Sequence, residues 1–297
     1  MKLQGTIVAA HGRQYLVELE SKTADGKNET LLCFPRGKKS DLACGDRVSV
    51  LRGGDASGVI DSVAPRDTLL YRSNEFKQKL IAANVTQIVI VVATEPSFSD
   101  ELITRCIVAA ECQDMKALIV LNKCDLTERI GHATTALAPY EKLGYTVLRL
   151  CAHDNAHAAD ALRPYLTGHT SVLVGQSGMG KSTLTNALIP GANAPTREIS
   201  AALDSGKHTT THATLYRLDA DSALIDSPGL QEFGLRHLTP DAIEHAFPEL
   251  RALRGQCRFR NCRHDREPDC AIHAALKNGD IAQRRYAAFR SLCAEVG

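Results

Sequence analysis

The first 66 residues alternate apolar and polar positions over five short runs, KLQGTIVAA, QYLVELE, TLLCFP, DRVSVLR and SGVIDSVAP. Alternation with a period of two marks strands with one face buried, and the intervening HGR, ADGKN, RGKKSDLACG and GGDAS are rich in turn formers. Five strands in so short a span predict a small β-barrel, of the oligonucleotide-binding (OB-fold) type first and SH3-like second. From about residue 67 the pattern changes. QIVIVVA, ALIVL, YTVLRL, SVLVG, TLYRL and ALIDS are compact apolar runs, as in strands buried on both faces, and amphipathic stretches such as DELITRCIVAAECQ and KSTLTNALI lie between them. That succession predicts an α/β domain built on a parallel sheet. Past Pro248 no strand pattern recurs, and a cysteine-rich loop followed by a helix over NGDIAQRRYAAFRSLCAEV is expected. The expected division is residues 1–66, 67–250 and 251–297.

Composition narrows the class. The chain has 297 residues, 44% of them hydrophobic, enough for two or three domains with a sizeable core. No run approaches the roughly 18 apolar residues of a membrane span, and the first residues lack a secretory pattern, so a cytoplasmic protein with no membrane partner is expected. Seven of the ten cysteines (33, 44, 106, 112, 124, 151 and 293) are scattered singly and read as buried thiols rather than disulfides. The net charge of +1 hides an asymmetry: residues 1–66, 67–250 and 251–297 carry +2, −6 and +5. Basic ends around an acidic middle suit a polyanion gripped at both ends. PRGKK, between the third and fourth runs, is a basic loop that fits the same picture or a plain solvated turn.

Three motifs carry nucleotide chemistry. Gly175, Gln176, Ser177, Gly178, Met179, Gly180, Lys181 and Ser182 fit G-x-x-x-x-G-K-[ST], follow the strand SVLV, and lead through Thr183 into a helix. Glycines let backbone N–H groups turn toward phosphates, a lysine reaches the β/γ oxygens, and the serine hydroxyl can ligate Mg²⁺. Asp226, in DSPG at the end of ALI, is placed to hold Mg²⁺, usually through water, while the Gly229 N–H can approach a γ-phosphate. Asn122, Lys123, Cys124 and Asp125 follow ALIVL. Asp125 would accept from guanine N1–H and the N2 amine, Asn122 would bond O6 or N7, and Lys123 would pack its stem across the site. GTP rather than ATP is therefore expected. Cys151, Ala152 and His153, after YTVLRL, form the loop where a backbone amide would reach the guanine O6.

Cys257, Cys262, His264 and Cys270 lie within fourteen residues of a stretch nearly devoid of core-forming side chains. Three thiols and an imidazole suit one closed, structural, tetrahedral zinc site. His273 is the competing ligand, with a helix-surface role favoured for it.

The order of the motifs is inverted, because the base-reading residues precede the phosphate loop. Joining the ends of a parallel sheet and reopening it before the base-reading strand would keep every element in place while producing this order. With its barrel, NKCD, GQSGMGKS, GKHTTTH, DSPG and zinc-binding tail in sequence, the chain resembles the circularly permuted GTPases, in particular the ribosome small-subunit-dependent GTPase A family. The resemblance spans essentially the whole chain. It implies that Lys207 to His212 form switch I, with Thr211, or Thr210 beside it, as a Mg²⁺ ligand and Lys181 as a catalytic cation. Position 230, where some GTPases place a water-orienting glutamine, is Leu. Slow intrinsic turnover is therefore expected, with His208 as the candidate to orient water. A monomer is expected, and the family further implies that it matures the small ribosomal subunit, binds it and its rRNA in the GTP state, and leaves after hydrolysis. Two other readings stand beside it: an RNA-binding chaperone with a nucleotide-sensing site, and a regulatory GTPase with a protein partner.

Overall fold

The structure is a computed structural model that describes residues 2–22, 28–37, 41–53, 56–74, 77–192, 213–227 and 234–296. The five alternating runs form β1 (Lys2–His11), β2 (Gln14–Lys22), β3 (Asn28–Pro35), β4 (Arg47–Arg52) and β5 (Ser57–Val63). They pair in the order β1-β2-β3-β5-β4, and β4 returns antiparallel to β1, so the barrel closes. Only β3 and β5 run parallel within it. The apolar member of each alternating pair points inward, where Ile7, Val17, Leu19, Leu31, Val48, Val50 and Ile60 form a separate core.

A hairpin, β6 (Leu69–Asn74) and β7 (Lys77–Ala83), follows that the apolar pattern did not announce. It is clasped to the barrel by Ala83 N–H donating to Cys44 O at 2.8 Å and Asn84 Nδ2 donating to Gly45 O at 2.9 Å. Position 45 demands glycine there, since its φ is +91° and a Cβ would lie 2.2 Å from Ala83 O.

The sheet contains β8 (Gln87–Ala93), β9 (Lys116–Asn122), β10 (Thr146–Arg149), β11 (Thr170–Val174), β12 (Thr214–Arg217) and β13 (Ala223–Asp226), in the order β10-β9-β8-β11-β13-β12. The first five in that order are parallel, as the buried apolar runs require. The last, β12, departs from the expected parallel sheet: it is antiparallel to β13 and meets the barrel where Ala9 pairs with Thr214. In β8, Ile88, Ile90 and Val92 face one side and Val89, Val91 and Ala93 the other. Helices α1 (Asp100–Glu111) and α2 (Thr127–Lys142) cover the first side; α3 (Asn155–Leu166) and α4 (Lys181–Leu188) cover the second.

The C-terminal region holds α5 (Pro240–His245), α6 (Pro248–Arg251), α7 (Ala271–Asn278) and α8 (Gln283–Val296). The single helix expected from residue 278 begins later, because Asn278 closes α7 and Gly279, at φ +83°, caps it in the left-handed region. Phe247, Leu250, Ile272, Phe289 and Leu292 belong to the same core as α1 and the first face of the sheet. Arg285, 2% exposed, cements the junction: it pairs with Glu249 at 2.7 Å, donates to Thr104 Oγ1 at 3.1 Å, and stacks 4.5 Å over Phe247. Arg284 reaches Asp100 at 2.7 Å, and Arg105 reaches Glu295 at 2.5 Å. No helix among the described residues is long and apolar enough to cross a membrane.

Candidate nucleotide site and metal centre

The carboxyl ends of β11, β13, β9 and β10 bring the expected nucleotide motifs to one edge of the sheet, as open α/β sheets arrange their ligands. After β11 the chain passes through Gly178 and Gly180, both at positive φ, into α4. The loop leaves no room for side chains at its ends: a Cβ on Gly175 would sit 2.2 Å from Val91 O, and one on Gly180 would sit 2.1 Å from Asn122 Nδ2. Ser182 and Thr183 occupy the first turn of α4, half-buried, and Ser177 is exposed. Lys181 Nζ donates to Gly175 O at 2.5 Å and Gln176 O at 3.0 Å. Burial lowers the Lys181 pKa, opposed by Asp226, and burial raises that of Asp226, opposed by Lys181 and a hydrogen bond from Thr185. Both charges are thus held at a cost, the condition in which a bound polyphosphate and cation gain most from them.

Within the base-reading motif, Asn122 spends most of its amide on the protein itself. Asn122 is buried, its Nδ2 donates to Met179 O at 2.9 Å, and its Oδ1 accepts from Lys123 N and Ala152 N, each at 2.8 Å. Its amide therefore bridges the phosphate loop and the two base loops, leaving one Nδ2 hydrogen for a base. The Ala152 N–H, placed by sequence near the guanine O6, is given to Asn122. The Cys124 thiol turns to Leu121 O at 3.3 Å and packs on the core, while Cys151 lies against the Asp125 carboxylate. That thiol, first among several influences, lowers the pKa of Asp125, which is exposed. Lys123 adopts φ +61° and donates from Nζ to Glu95 O at 2.7 Å.

Three further contributors went unseen in the sequence. Thr94 Oγ1 donates to Lys123 O at 2.8 Å, Glu95 receives the Lys123 ammonium, and Ser99 N–H donates to Gln176 Oε1 at 3.0 Å. The available signal was position alone: TEPSFS leaves β8, the strand beside β11. His208, Thr210, Thr211, Gly229 and Leu230 lie outside the described residues.

The metal candidates converge. The ligand atoms of Cys257, Cys262, His264 and Cys270 all lie within 4.8 Å of one another. Cys257 Sγ to Cys270 Sγ is 3.9 Å, Cys257 Sγ to His264 Nδ1 is 3.6 Å, and His264 Nδ1 to Cys270 Sγ is 3.4 Å. A tetrahedron with ordinary Zn–S and Zn–N bonds has edges of about 3.5–3.8 Å, so these residues fit such an ion. The other ring nitrogen, Nε2, meets Glu244 Oε2 at 3.1 Å, which fixes Nδ1 as the ligand atom. Glu244, more than any other neighbour, raises the His264 pKa to about 9, with burial opposing; a metal would have to displace that proton. Glu267 accepts backbone N–H groups from Arg263, Asp265 and Arg266 and so shapes the ligand loop. His273, the competing ligand, is engaged instead by His264 O at 3.1 Å and Tyr286 OH at 3.2 Å.

A phosphate loop on the central strand of a parallel sheet, preceded in the chain by its own base-reading turn and followed by a strand-end aspartate, defines a circularly permuted P-loop GTPase. Residues 63–236 match the family described as RsgA GTPase. Over 298 residues the chain is 53% identical to the small ribosomal subunit biogenesis GTPase RsgA of Burkholderia pseudomallei, covering 99% of this chain and 93% of that one. The crystal structure of YjeQ from Thermotoga maritima is similar with a TM-score of 0.74 at 30% identity, covering 100% of this chain and 99% of that one. YloQ, described as a circularly permuted GTPase, gives 0.72 at 25% identity, covering 100% and 95%. This chain belongs to the RsgA GTPase family.

Proposed function

We propose that this GTPase acts in maturation of the small ribosomal subunit, binding the subunit and its rRNA in the GTP state and leaving it after hydrolysis to GDP. The observation that carries the reading is the bridge made by Asn122, which holds the phosphate loop and both base loops at one sheet edge, in a chain 53% identical to proteins named for that task. Lys181 exchanges its carbonyl partners for β/γ-phosphate oxygens. Asp125 accepts from the guanine N1–H and N2 amine. Ser182 and Asp226, with Thr211 or Thr210, hold a magnesium ion, which supplies charge neutralisation when bound. Gly229 approaches the γ-phosphate and His208 orients water. Cys257, Cys262, His264 and Cys270 hold one structural zinc ion. The protein works as a cytoplasmic monomer.

The charge pattern of the tail narrows where RNA would be met. Arg251, Arg254, Arg258, Arg284, Arg285 and Arg290 are already paired with carboxylates. Arg260, Arg263 and Arg266, exposed on the metal loop beside exposed Phe259, have no such partner among the described residues and offer the cationic surface. The test is GTP hydrolysis at fixed salt with and without purified small subunits, with co-sedimentation in GDP and in a non-hydrolysable GTP analogue. Stimulated turnover and tighter association with the analogue are expected; no response in either refutes the reading.

A further inference from the structure

The base-reading aspartate sits in a tight turn, and what fixes that turn to the sheet lies outside every nucleotide motif. Lys123 O closes the turn around Cys124 and Asp125 by accepting from Leu126 N at 3.1 Å. The same carbonyl accepts from Thr94 Oγ1 at 2.8 Å. Thr94 is buried, 7% exposed, and its own N–H donates to Asn122 O at 3.1 Å, continuing the parallel register that pairs Ala93 with Asn122. Lys123 meanwhile holds φ +61°, a conformation a non-glycine residue keeps only where its surroundings over-determine it. Its carbonyl and its ammonium are both tied to one segment, the first to Thr94 and the second to Glu95 O at 2.7 Å. A few residues on, Ser99 N–H donates to Gln176 Oε1 of the phosphate loop at 3.0 Å, so this segment braces base turn and phosphate loop together.

We infer that Thr94 is a positioning residue for guanine recognition: its hydroxyl holds the Lys123 carbonyl, and through it the Asp125 carboxylate, at the place where the base is read. The inference rests on the proposed role of Asp125. Removing the hydroxyl while keeping the side-chain volume frees the turn to move as a unit. Two hydrogen bonds to Asp125 are then weakened for guanine but only one for hypoxanthine, which lacks the N2 amine. The loss therefore falls on discrimination and not on the chemical step.

The experiment compares the unmodified protein with Thr94→Val and Thr94→Ser, measuring kcat and KM for GTP and for ITP, with Asp125→Asn alongside. In Thr94→Val the KM for GTP should rise about five- to tenfold, the worth of roughly one hydrogen bond. The KM for ITP should rise less, so the GTP/ITP preference shrinks at unchanged kcat, and Thr94→Ser should restore it. A Thr94→Val protein that keeps the preference, a kcat that falls at constant KM, or a Ser variant that fails to rescue would overturn the inference. Asp125→Asn separates the two levels. If it leaves the preference intact, base reading by Asp125 itself is wrong; if it abolishes the preference while Thr94→Val does not, only the positioning role fails.

Discussion

Replacing Gly180 with alanine should severely damage this protein's nucleotide site. The new Cβ would lie 2.1 Å from Asn122 Nδ2, far inside contact distance, on a backbone at φ +95°. The left-handed conformation alone costs an L-residue about 1–2 kcal/mol. The collision adds more, because Asn122 cannot move without surrendering its bonds to Met179 O, Lys123 N and Ala152 N, at 2.9, 2.8 and 2.8 Å. Each buried bond is worth about 1 kcal/mol, and more where a partner is left unsatisfied, so the combined penalty comes to about 3–6 kcal/mol. Gly168 supplies the control: it has φ +74° with nothing within 4 Å of an added Cβ. Gly168→Ala therefore meets only the backbone term, about 1–2 kcal/mol. Urea unfolding of both variants, followed by circular dichroism, together with titration of a fluorescent GDP, measures the difference. If Gly180→Ala is no less stable than Gly168→Ala and binds GDP normally, the bridging role of Asn122 is wrong.

Arg285→Met should cost about 3–5 kcal/mol by stranding Glu249, whose side chain is 8% exposed, and the double change with Glu249→Leu should recover much of it, as a denaturation double-mutant cycle would show. Asp226→Asn should abolish magnesium-dependent hydrolysis yet raise the Tm of the nucleotide-free protein at neutral pH. Because the folded pKa of Asp226 is raised, its ionisation opposes folding by an amount that builds as pH rises from the ordinary carboxylate pKa of about 4 to the raised folded value and stays constant above it; below about 4, where both states are neutral, the gain should vanish. Metal analysis should find one zinc per chain, lost when Cys262 and His264 are both replaced, and Glu244→Ala should weaken zinc about 10- to 100-fold against a chelator. A metal-free native protein would contradict that assignment.

The barrel strands and the parallel core were legible because alternation and continuous apolar runs report burial on one face or two. The hairpin β6–β7 was not, since YRSNEFKQKLIAA shows neither pattern, and the direction of β12 cannot be read from a strand as short as TLYR. At the nucleotide site, residue types announced the phosphate loop and the aspartates. How the Asn122 amide is spent depends on loops 30 and 57 residues away, which no local pattern carries. Thr94 and Glu244 act through ordinary hydroxyl and carboxylate groups in unremarkable contexts, so only the folded chain reveals them. Arg285 cannot be told from the solvated arginines of the tail by sequence, because its burial rests on Glu249, Phe247 and Thr104, supplied by elements far from it in the chain.

The inverted order of the motifs also has a meaning in time. Asn122 leaves the translating ribosome 53 residues ahead of Gly175 and 104 ahead of Asp226, a lead of roughly 3–10 s over the phosphate loop at ordinary elongation rates. The barrel and the β8–β9–β10 half of the sheet are therefore made before anything exists to hold a phosphate. The apolar side of α1 waits longer still, because Phe289 and Leu292, which share its core, lie in the final helix. A nascent chain of this protein cannot bind nucleotide early, and the part of its α1 face that shares a core with Phe289 and Leu292 cannot be covered until α8 has been made. Premature termination before α8 should thus yield a chain with every nucleotide-site residue present and an exposed apolar seam, a ready substrate for quality-control proteases.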